Sequence, residues 1–430
     1  MKYIKISPLS HPAKAALAMP GSKSYTNRAL LLAAMTPGPV KITNPLLSDD
    51  TGAMMACLGA LSVRVDQDDG FIKVSGDVSA VADGDYDLDA DLSGTTMRFM
   101  LALCSVLPGR QTLHGGMRLH ERPIGKLVKA LRQLGANIDY LGREGYPPLL
   151  VSAPVLKSGT VILDGSESSQ YLSALLMIAP LVGDLSIEVT GGLISKPYAD
   201  MTIEAMKEFG VRAVNDNYEK YGVDGGQSYT CSQYDVEGDV SSASYFFAVA
   251  ALTGSTLTLE NMNPESLQAD MGFLKILEDM GNSVTAGEQS ITIEGHGVEP
   301  VNVDMQNCPD QAQTLAVLAA FAGGTTTIQG IGSLRIKETE RIKALEQELA
   351  KMGIDTSSTP DSLTIHGTRQ PKPAVIATYN DHRMAMAFTV AGTRLPGLVI
   401  EEPDVVGKTF PAFWEKLEAI GVGLTRTEQL

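Results

Sequence analysis

The stretch Phe273–Ala286, FLKILEDMGNSVTA, with Ser290–Gly295, SITIEG, behind it, decides the fold. Phe273, Ile276, Leu277 and Met280 recur at the spacing of one helix face, and Gly281 stands where a left-handed C-cap ends a helix. Two short alternating segments then read as strands. The same phrase returns as Met54–Val65 with Phe71–Gly76, Leu127–Tyr140, Met201–Val214, Ile342–Thr356 with Ser362–Gly367, and Phe413–Thr425. Between the copies lies a second, more apolar helix, beginning near Arg28, Thr95, Ser168, Ser241, Asp310 and Asp381, at intervals of 67 to 73 residues. Each unit reads strand, helix, strand, helix, strand, strand, and six units account for the chain. A linear solenoid is the plainer arrangement, but about 70 residues is long for a solenoid repeat and two helix types alternate. Compact α/β units packed three to a domain fit better, because one unit alone is too small to bury its own core.

Composition narrows the function. The 430 residues are 44% hydrophobic, which excludes a disordered chain. A net charge of −16 opposes binding to nucleic acid or to an anionic membrane surface. Cys57, Cys104, Cys231 and Cys308 form no C-x-x-C pair, and the six histidines have no paired spacing, so no metal site is expected. Met1–Lys14 is interrupted by Pro8 and Pro12 and lacks the apolar core of a signal peptide. Ala29–Met35 and Ala174–Val182 are far too short to span a membrane. A cytoplasmic protein with reduced thiols is expected.

The apolar helices begin with small or hydrogen-bonding residues: Ser22–Arg28 (SKSYTNR), Ser93–Arg98 (SGTTMR), Ser168–Gln170 (SSQ), Ser241–Ser244 (SSAS), Pro309–Gln311 (PDQ) and Asn380–Arg383 (NDHR). Capping explains the Ser, Thr, Asp and Asn residues. It does not explain Lys23, Arg28, Arg98, His382 or Arg383. A helix N-terminus already carries partial positive charge, so cations there are unfavourable unless an anion is bound. More cations fall in the turns before the other helices, in His120–Lys126, Ser195–Tyr198, Arg335–Arg341 and Gly407–Pro411. Any one of these reads as a solvated loop. Together they read as a cation-rich site with selected carboxylates, suited to polyanionic small molecules without a metal. The spacings of a P-loop, a G-x-G-x-x-G turn, a G-x-S-x-G elbow and an H-E-x-x-H helix are all absent.

At these residues the chain resembles the 5-enolpyruvylshikimate-3-phosphate synthase family. The segments that carry the resemblance run from Pro20–Ala34 and Ser48–Thr51 through Ser93–Arg98, Glu121–Val128, Ser168–Leu181 and Ile194–Thr202. They continue through Val236–Ala248, Pro309–Thr326, Arg335–Leu345, Tyr379–Phe388 and Lys408–Pro411. The resemblance implies an α/β fold of two domains, an inside-out α/β barrel (prism) with three βαβαββ repeats in each. Residues 1–20 plus 239–430 would form one domain and 21–238 the other, with the N-terminal strand in the C-terminal half. It implies a monomer that uses no cofactor. Its substrates would be phosphoenolpyruvate and shikimate 3-phosphate, whose 5-hydroxyl receives the enolpyruvyl group by addition and elimination.

Carried over by motif, Lys23 would touch both substrates. Ser24, Arg28, Ser168, Ser169, Gln170, Ser195, Ser333 and Lys337 would hold shikimate 3-phosphate, with Asp310 accepting the proton of its 5-hydroxyl. Gly94, Arg122, Arg341, Arg383 and Lys408 would hold phosphoenolpyruvate. Glu338 resembles the family's proton donor, and His382 would position its neighbours or take part in catalysis. Without the resemblance, Asp310 is a plain N-cap and Glu338 a first-turn acid of a helix. The chain departs from the family at Leu92, where Asn is common, at Phe99, where one subgroup has Pro, and at Ser333 in place of Asn. Leu92 cannot donate an amide hydrogen bond, so that part of the pocket is rebuilt or relies on backbone groups. Two other readings stand beside this one. UDP-N-acetylglucosamine enolpyruvyl transferases share the repeat fold but have Asn after the early Lys and a loop Cys, where this chain has Ser24 and the cysteine-free Gly115–Pro123. An inactive binding protein on the same repeats would be marked by loss of Lys23, Asp310, Glu338 or Arg383, all of which are present.

Overall fold

Two kinds of helix alternate along the chain. The computed structural model describes residues 2–76, 78–152 and 156–428. In chain order the helices are α1 (Lys23–Ala34), α2 (Asp49–Ala60), α3 (Gly94–Cys104), α4 (Gly125–Gln133), α5 (Ser169–Val182) and α6 (Pro197–Glu208). They continue with α7 (Val240–Thr253), α8 (Gly272–Asp279), α9 (Ala312–Ala319), α10 (Arg341–Lys351), α11 (His382–Gly392) and α12 (Phe413–Ala419). The odd-numbered helices are apolar almost all round and are buried accordingly; in α11 every residue from His382 to Gly392 is buried. The even-numbered ones bury one stripe, as α4 does with Leu127, Val128, Ala130 and Leu131. Each fully buried Leu or Phe contributes about 1.5–3 kcal/mol of burial free energy, so the odd helices form the cores. None of the described helices is long and apolar enough to cross a membrane.

The strands form six four-stranded sheets among the described residues, all with one order. In one, Asp85–Asp89 lies parallel to Arg110–His114, which runs antiparallel to Leu149–Ser152, itself antiparallel to Asn137–Tyr140. The reason is local. In this sheet an odd helix connects the first two strands and permits parallel pairing, whereas the last two strands form a hairpin and must be antiparallel. The N-terminal strand Tyr3–Ser7 supplies the missing fourth strand of the final sheet, pairing with Val399–Glu401 and Gly423–Thr427.

The chain divides into two units, Met1–Pro20 with Glu237–Leu430 and Gly21–Val236, so the later crossing lies two residues ahead of the 238/239 boundary read from the sequence. The two crossings are built alike. A Cβ on Gly21 would overlap the carbonyl oxygen of Asn44, and one on Gly238 would overlap that of Asn261. Asn44 and Asn261 both take positive φ, and each donates a side-chain hydrogen bond back to the crossing chain, to Val236 at 2.7 Å and Met19 at 3.0 Å. Because the clash is with backbone, it cannot relax by a side-chain rotation. Gly238→Ala should destabilise the protein by about 3 kcal/mol, read as a lowered urea midpoint at unchanged m-value. An unchanged midpoint would contradict this account of the crossing.

Candidate active site

In the Gly21–Val236 unit the N-terminal ends of α1, α3 and α5 are linked by polar contacts. Lys23, the first residue of α1, pairs with Asp50 at 3.0 Å. The carbonyl of Asp50 accepts from the Thr96 hydroxyl near the start of α3 at 3.4 Å. Thr95 accepts from the Gln170 amide near the start of α5 at 3.0 Å. Ser22, Ser93 and Ser168 cap the three helices, as their residue types require. Three positive helix ends thus face one neighbourhood.

Arg28 lies inside this neighbourhood and is 2% exposed. Its Nε donates to Thr202 Oγ1 at 2.8 Å, its Nη1 to the Ser24 carbonyl at 2.9 Å, and its Nη2 to the Tyr198 carbonyl at 3.1 Å and Ser173 Oγ at 3.3 Å. None of these partners is a carboxylate. Burial therefore pulls its pKa down to about 10, only partly opposed by nearby tyrosines. Ser195, at positive φ and largely buried, accepts from the backbone N–H of Tyr198 at 3.2 Å, next to these groups. Ser169 is buried one residue after the cap of α5.

A second cation pair surrounds Gly94. Arg98 Nη1 donates to the Gly94 carbonyl at 3.0 Å and to Gln170 Oε1 at 3.1 Å, and burial lowers its pKa. A Cβ on Gly94 would overlap Arg98 Nη1 and lie 2.7 Å from Arg122 Nη1, so two buried guanidinium groups pack on a bare Cα. Leu92 packs over Gly116, whose added Cβ would meet its Cδ2 at 2.8 Å.

The other unit holds a network of opposite charges. Arg341, the first residue of α10, is 1% exposed and reaches three carboxylates. Its Nε donates to Asp381 at 2.7 Å, its Nη1 to Asp310 at 3.1 Å and its Nη2 to Glu338 at 2.9 Å. Burial opposes its charge, but the three carboxylates outweigh burial and raise its pKa. Arg383 Nη2 donates to Asp310 Oδ2 at 3.0 Å, and its Nη1 to the Asp310 carbonyl at 3.2 Å and the Tyr245 hydroxyl at 3.3 Å. Lys337 stands 3.7 Å from Asp310, and Lys408 4.0 Å from Glu338. Ser333 lies in the 3-10 turn Gly332–Ile336 that leads to Lys337. His382 is buried, its Nδ1 3.7 Å from Asp381.

Neither carboxylate takes the plain role open to it in sequence. Asp310 sits inside the 3-10 turn Pro309–Gln311, and it is Gln311 that precedes α9. Glu338 lies ahead of α10, whose cap is Glu340. Burial alone would raise the pKa of Asp310, but Arg383, Lys337 and Arg341 together hold it well below the usual carboxylate range, with Glu338 opposing. Its stabilising contribution is therefore present above the unfolded value, about 3.9, and is lost as pH falls towards the lower folded value. Asp310→Asn should lower the urea midpoint at pH 7, and the gap from the parent protein should narrow below about pH 4. A gap independent of pH would remove this electrostatic account.

Sequence reasoning passed over Asp50, Asp381, Asp270 and Tyr245. Asp270 accepts from Gln311 Nε2 at 2.8 Å and from the Ser241 hydroxyl, directly behind Asp310, and burial raises its pKa. Asp50 and Asp381 lie in stretches that carried the resemblance, but as acids at helix starts they look like ordinary caps. Their pairing with Lys23 and Arg341 is a tertiary fact.

Comparison with known proteins agrees with this chemistry. The family model of EPSP synthase (3-phosphoshikimate 1-carboxyvinyltransferase) matches residues 9–417. A 3-phosphoshikimate 1-carboxyvinyltransferase of Sulfurovum sp. is 43% identical over 425 residues, covering 98% of this chain and 99% of that one. One from Burkholderia lata is 43% identical over 432 residues with the same coverage. Among solved structures, EPSP synthase from Acinetobacter baumannii superposes with a TM-score of 0.83 at 26% identity, covering 100% of both chains. Set beside helix ends that gather buried arginines and carboxylates, these likenesses show that the chain belongs to the EPSP synthase family.

Proposed function

We infer that the protein transfers the enolpyruvyl group of phosphoenolpyruvate to the 5-hydroxyl of shikimate 3-phosphate, a step of the shikimate pathway to aromatic amino acids. The repeated sheet order supports the two-domain inside-out α/β barrel of three βαβαββ repeats each. The observation that carries the reading is Asp310, gripped by Arg341, Arg383 and Lys337 with Glu338 alongside. It supplies two carboxylates for proton transfer within a set of cations that suits a phosphate and a carboxylate.

Arg122, Arg341, Arg383 and Lys408 hold phosphoenolpyruvate, with Gly94 letting the Arg122 guanidinium lie against the chain, and Lys23 serves both substrates. Arg28 with Ser24, Ser168, Ser169, Gln170 and Ser195 holds shikimate 3-phosphate, and Ser333 and Lys337 complete its contacts. The hydroxyl oxygen bonds to C2 of the enol as its proton passes to Asp310, and Glu338 protonates C3. The C–O bond to phosphate then breaks as Glu338 takes a proton back from the methyl group to restore the double bond, and the proton held by Asp310 leaves with the phosphate. Phosphate leaves and no electrons are exchanged with a cofactor. His382 positions Asp381 and Arg383 beside it.

The low pKa of Asp310 makes it a weak base while the three cations hold it. An incoming phosphate or carboxylate draws on the same cations, loosens that hold and raises its basicity at the moment it is needed. The reading is tested by phosphate release from phosphoenolpyruvate with shikimate 3-phosphate or UDP-N-acetylglucosamine as acceptor. Release that depends on shikimate 3-phosphate supports it. Release with the sugar nucleotide alone, or none from folded protein, overturns it.

A further inference from the structure

The turn that delivers Asp381 and Arg383 is strained, and a buried acid holds it. Tyr379 and Asn380 are consecutive residues in the left-handed region, with φ of 54° and 55°. Asn tolerates that region; a tyrosine there persists only where its surroundings hold it. The two residues are followed directly by Asp381, whose carboxylate accepts from the Arg383 N–H at 2.9 Å and pairs with Arg341.

What holds the turn is α10. Its Glu348 is 0% exposed although it carries a carboxylate. Oε1 of Glu348 accepts from the Tyr379 hydroxyl at 2.6 Å. Oε2 accepts from the Ala377 N–H at 3.1 Å and from Lys351 Nζ at 2.7 Å. The Tyr379 hydroxyl also lies 2.9 Å from Gln347 Oε1. Glu348 therefore grips the chain on both sides of Thr378, while Arg341, seven residues earlier on the same helix, grips it at Asp381. Seven residues of helix span about 10 Å, so the strained turn is fixed to one rigid rod at two separated points.

We propose that Glu348 and Tyr379 form a latch that fixes the Tyr379–Asn380 turn against α10 and so sets the position of Arg383, making both of them positioning residues for phosphoenolpyruvate. The proposal rests on the assignment of Arg383 to phosphoenolpyruvate made above. Neither latch residue is among those assigned to a substrate above. Without the phenol–carboxylate bond the turn relaxes towards ordinary φ values, and Arg383 moves away from the Asp310 carboxylate.

The test compares Tyr379→Phe, Glu348→Gln, Glu348→Ala and Arg383→Lys in the full chain, with steady-state kinetics for each substrate and a melting temperature for each variant. Tyr379→Phe removes only the hydroxyl and keeps the ring, so it serves if Glu348→Ala fails to fold. It should raise the phosphoenolpyruvate KM about tenfold while the shikimate 3-phosphate KM stays within about twofold. Glu348→Ala should do the same more strongly. Glu348→Gln should recover only part of the loss, because its amide oxygen still accepts from the phenol while its NH2 cannot accept from the Ala377 N–H. A lowered melting temperature with parent KM values in Tyr379→Phe and in the Glu348 variants would make the contact merely structural. A raised phosphoenolpyruvate KM in Arg383→Lys beside parent values in Tyr379→Phe overturns the latch alone. Parent values in both overturn the assignment of Arg383 itself.

Discussion

Asp310→Asn should lower kcat by about 100- to 10,000-fold, the span of a lost general base, while the phosphoenolpyruvate KM changes far less. The substitution keeps shape and a hydrogen-bond acceptor for Arg341 or Arg383, so the network loses a charge and little volume. What it removes is the atom that takes the hydroxyl proton. The same substitution frees Arg383, Arg341 and Lys337 from a competing anion, so ground-state binding of phosphoenolpyruvate should hold or tighten. A fall in kcat with a steady or lower KM is the signature of a group that acts in the transition state. Were kcat to stay within about tenfold of the parent value at saturating substrate, the proton would have to leave by another route.

Arg28→Met should do something rarer. It should abolish tight shikimate 3-phosphate binding without weakening the fold. Arg28 is buried with neutral partners only, and a buried charge without a counter-ion is destabilising. The groups it leaves behind are not orphaned, since Thr202 Oγ1 donates to the Tyr198 carbonyl at 2.8 Å and lies 2.8 Å from Ser173 Oγ. Methionine fills the space of the side-chain stem. The melting temperature should hold or rise, while the shikimate 3-phosphate KM rises by at least about 100-fold, the loss of one desolvated charge-assisted contact. A melting temperature several degrees lower with an unchanged KM would make Arg28 a structural residue. Asp310→Asn thus reports on turnover and Arg28→Met on binding.

These two sites were legible in the sequence to different degrees. Arg28 stands out because a cation near a helix N-terminus contradicts the helix dipole, and that contradiction is local. Asp310 does not stand out in the same way, because an acid at a helix start is what capping provides for free. Its placement in the family came from the surrounding Pro309–Thr326 segment and not from its own spacing. The helix kinds, the repeat and the order of strands within a unit were legible, since each is written in the periodicity of about a dozen neighbouring residues.

The sequence by itself determined the α/β class, the six-fold repetition and the gathering of cations at the starts of the apolar helices, because these follow from short-range patterns and residue types. Only the tertiary structure decided which charges meet. Lys23 finds Asp50, Arg341 finds Asp310, Glu338 and Asp381 together, and Glu348 finds Tyr379. The N-terminal strand joins the last sheet across nearly the whole length of the chain. Asp310 lies in a 3-10 turn and Glu338 ahead of its helix, where each can face an arginine instead of capping a backbone. The physical reason is one of range. Backbone geometry is set by neighbours in sequence, whereas the partner of a buried charge is set by whichever elements the packing of the core brings to the same place.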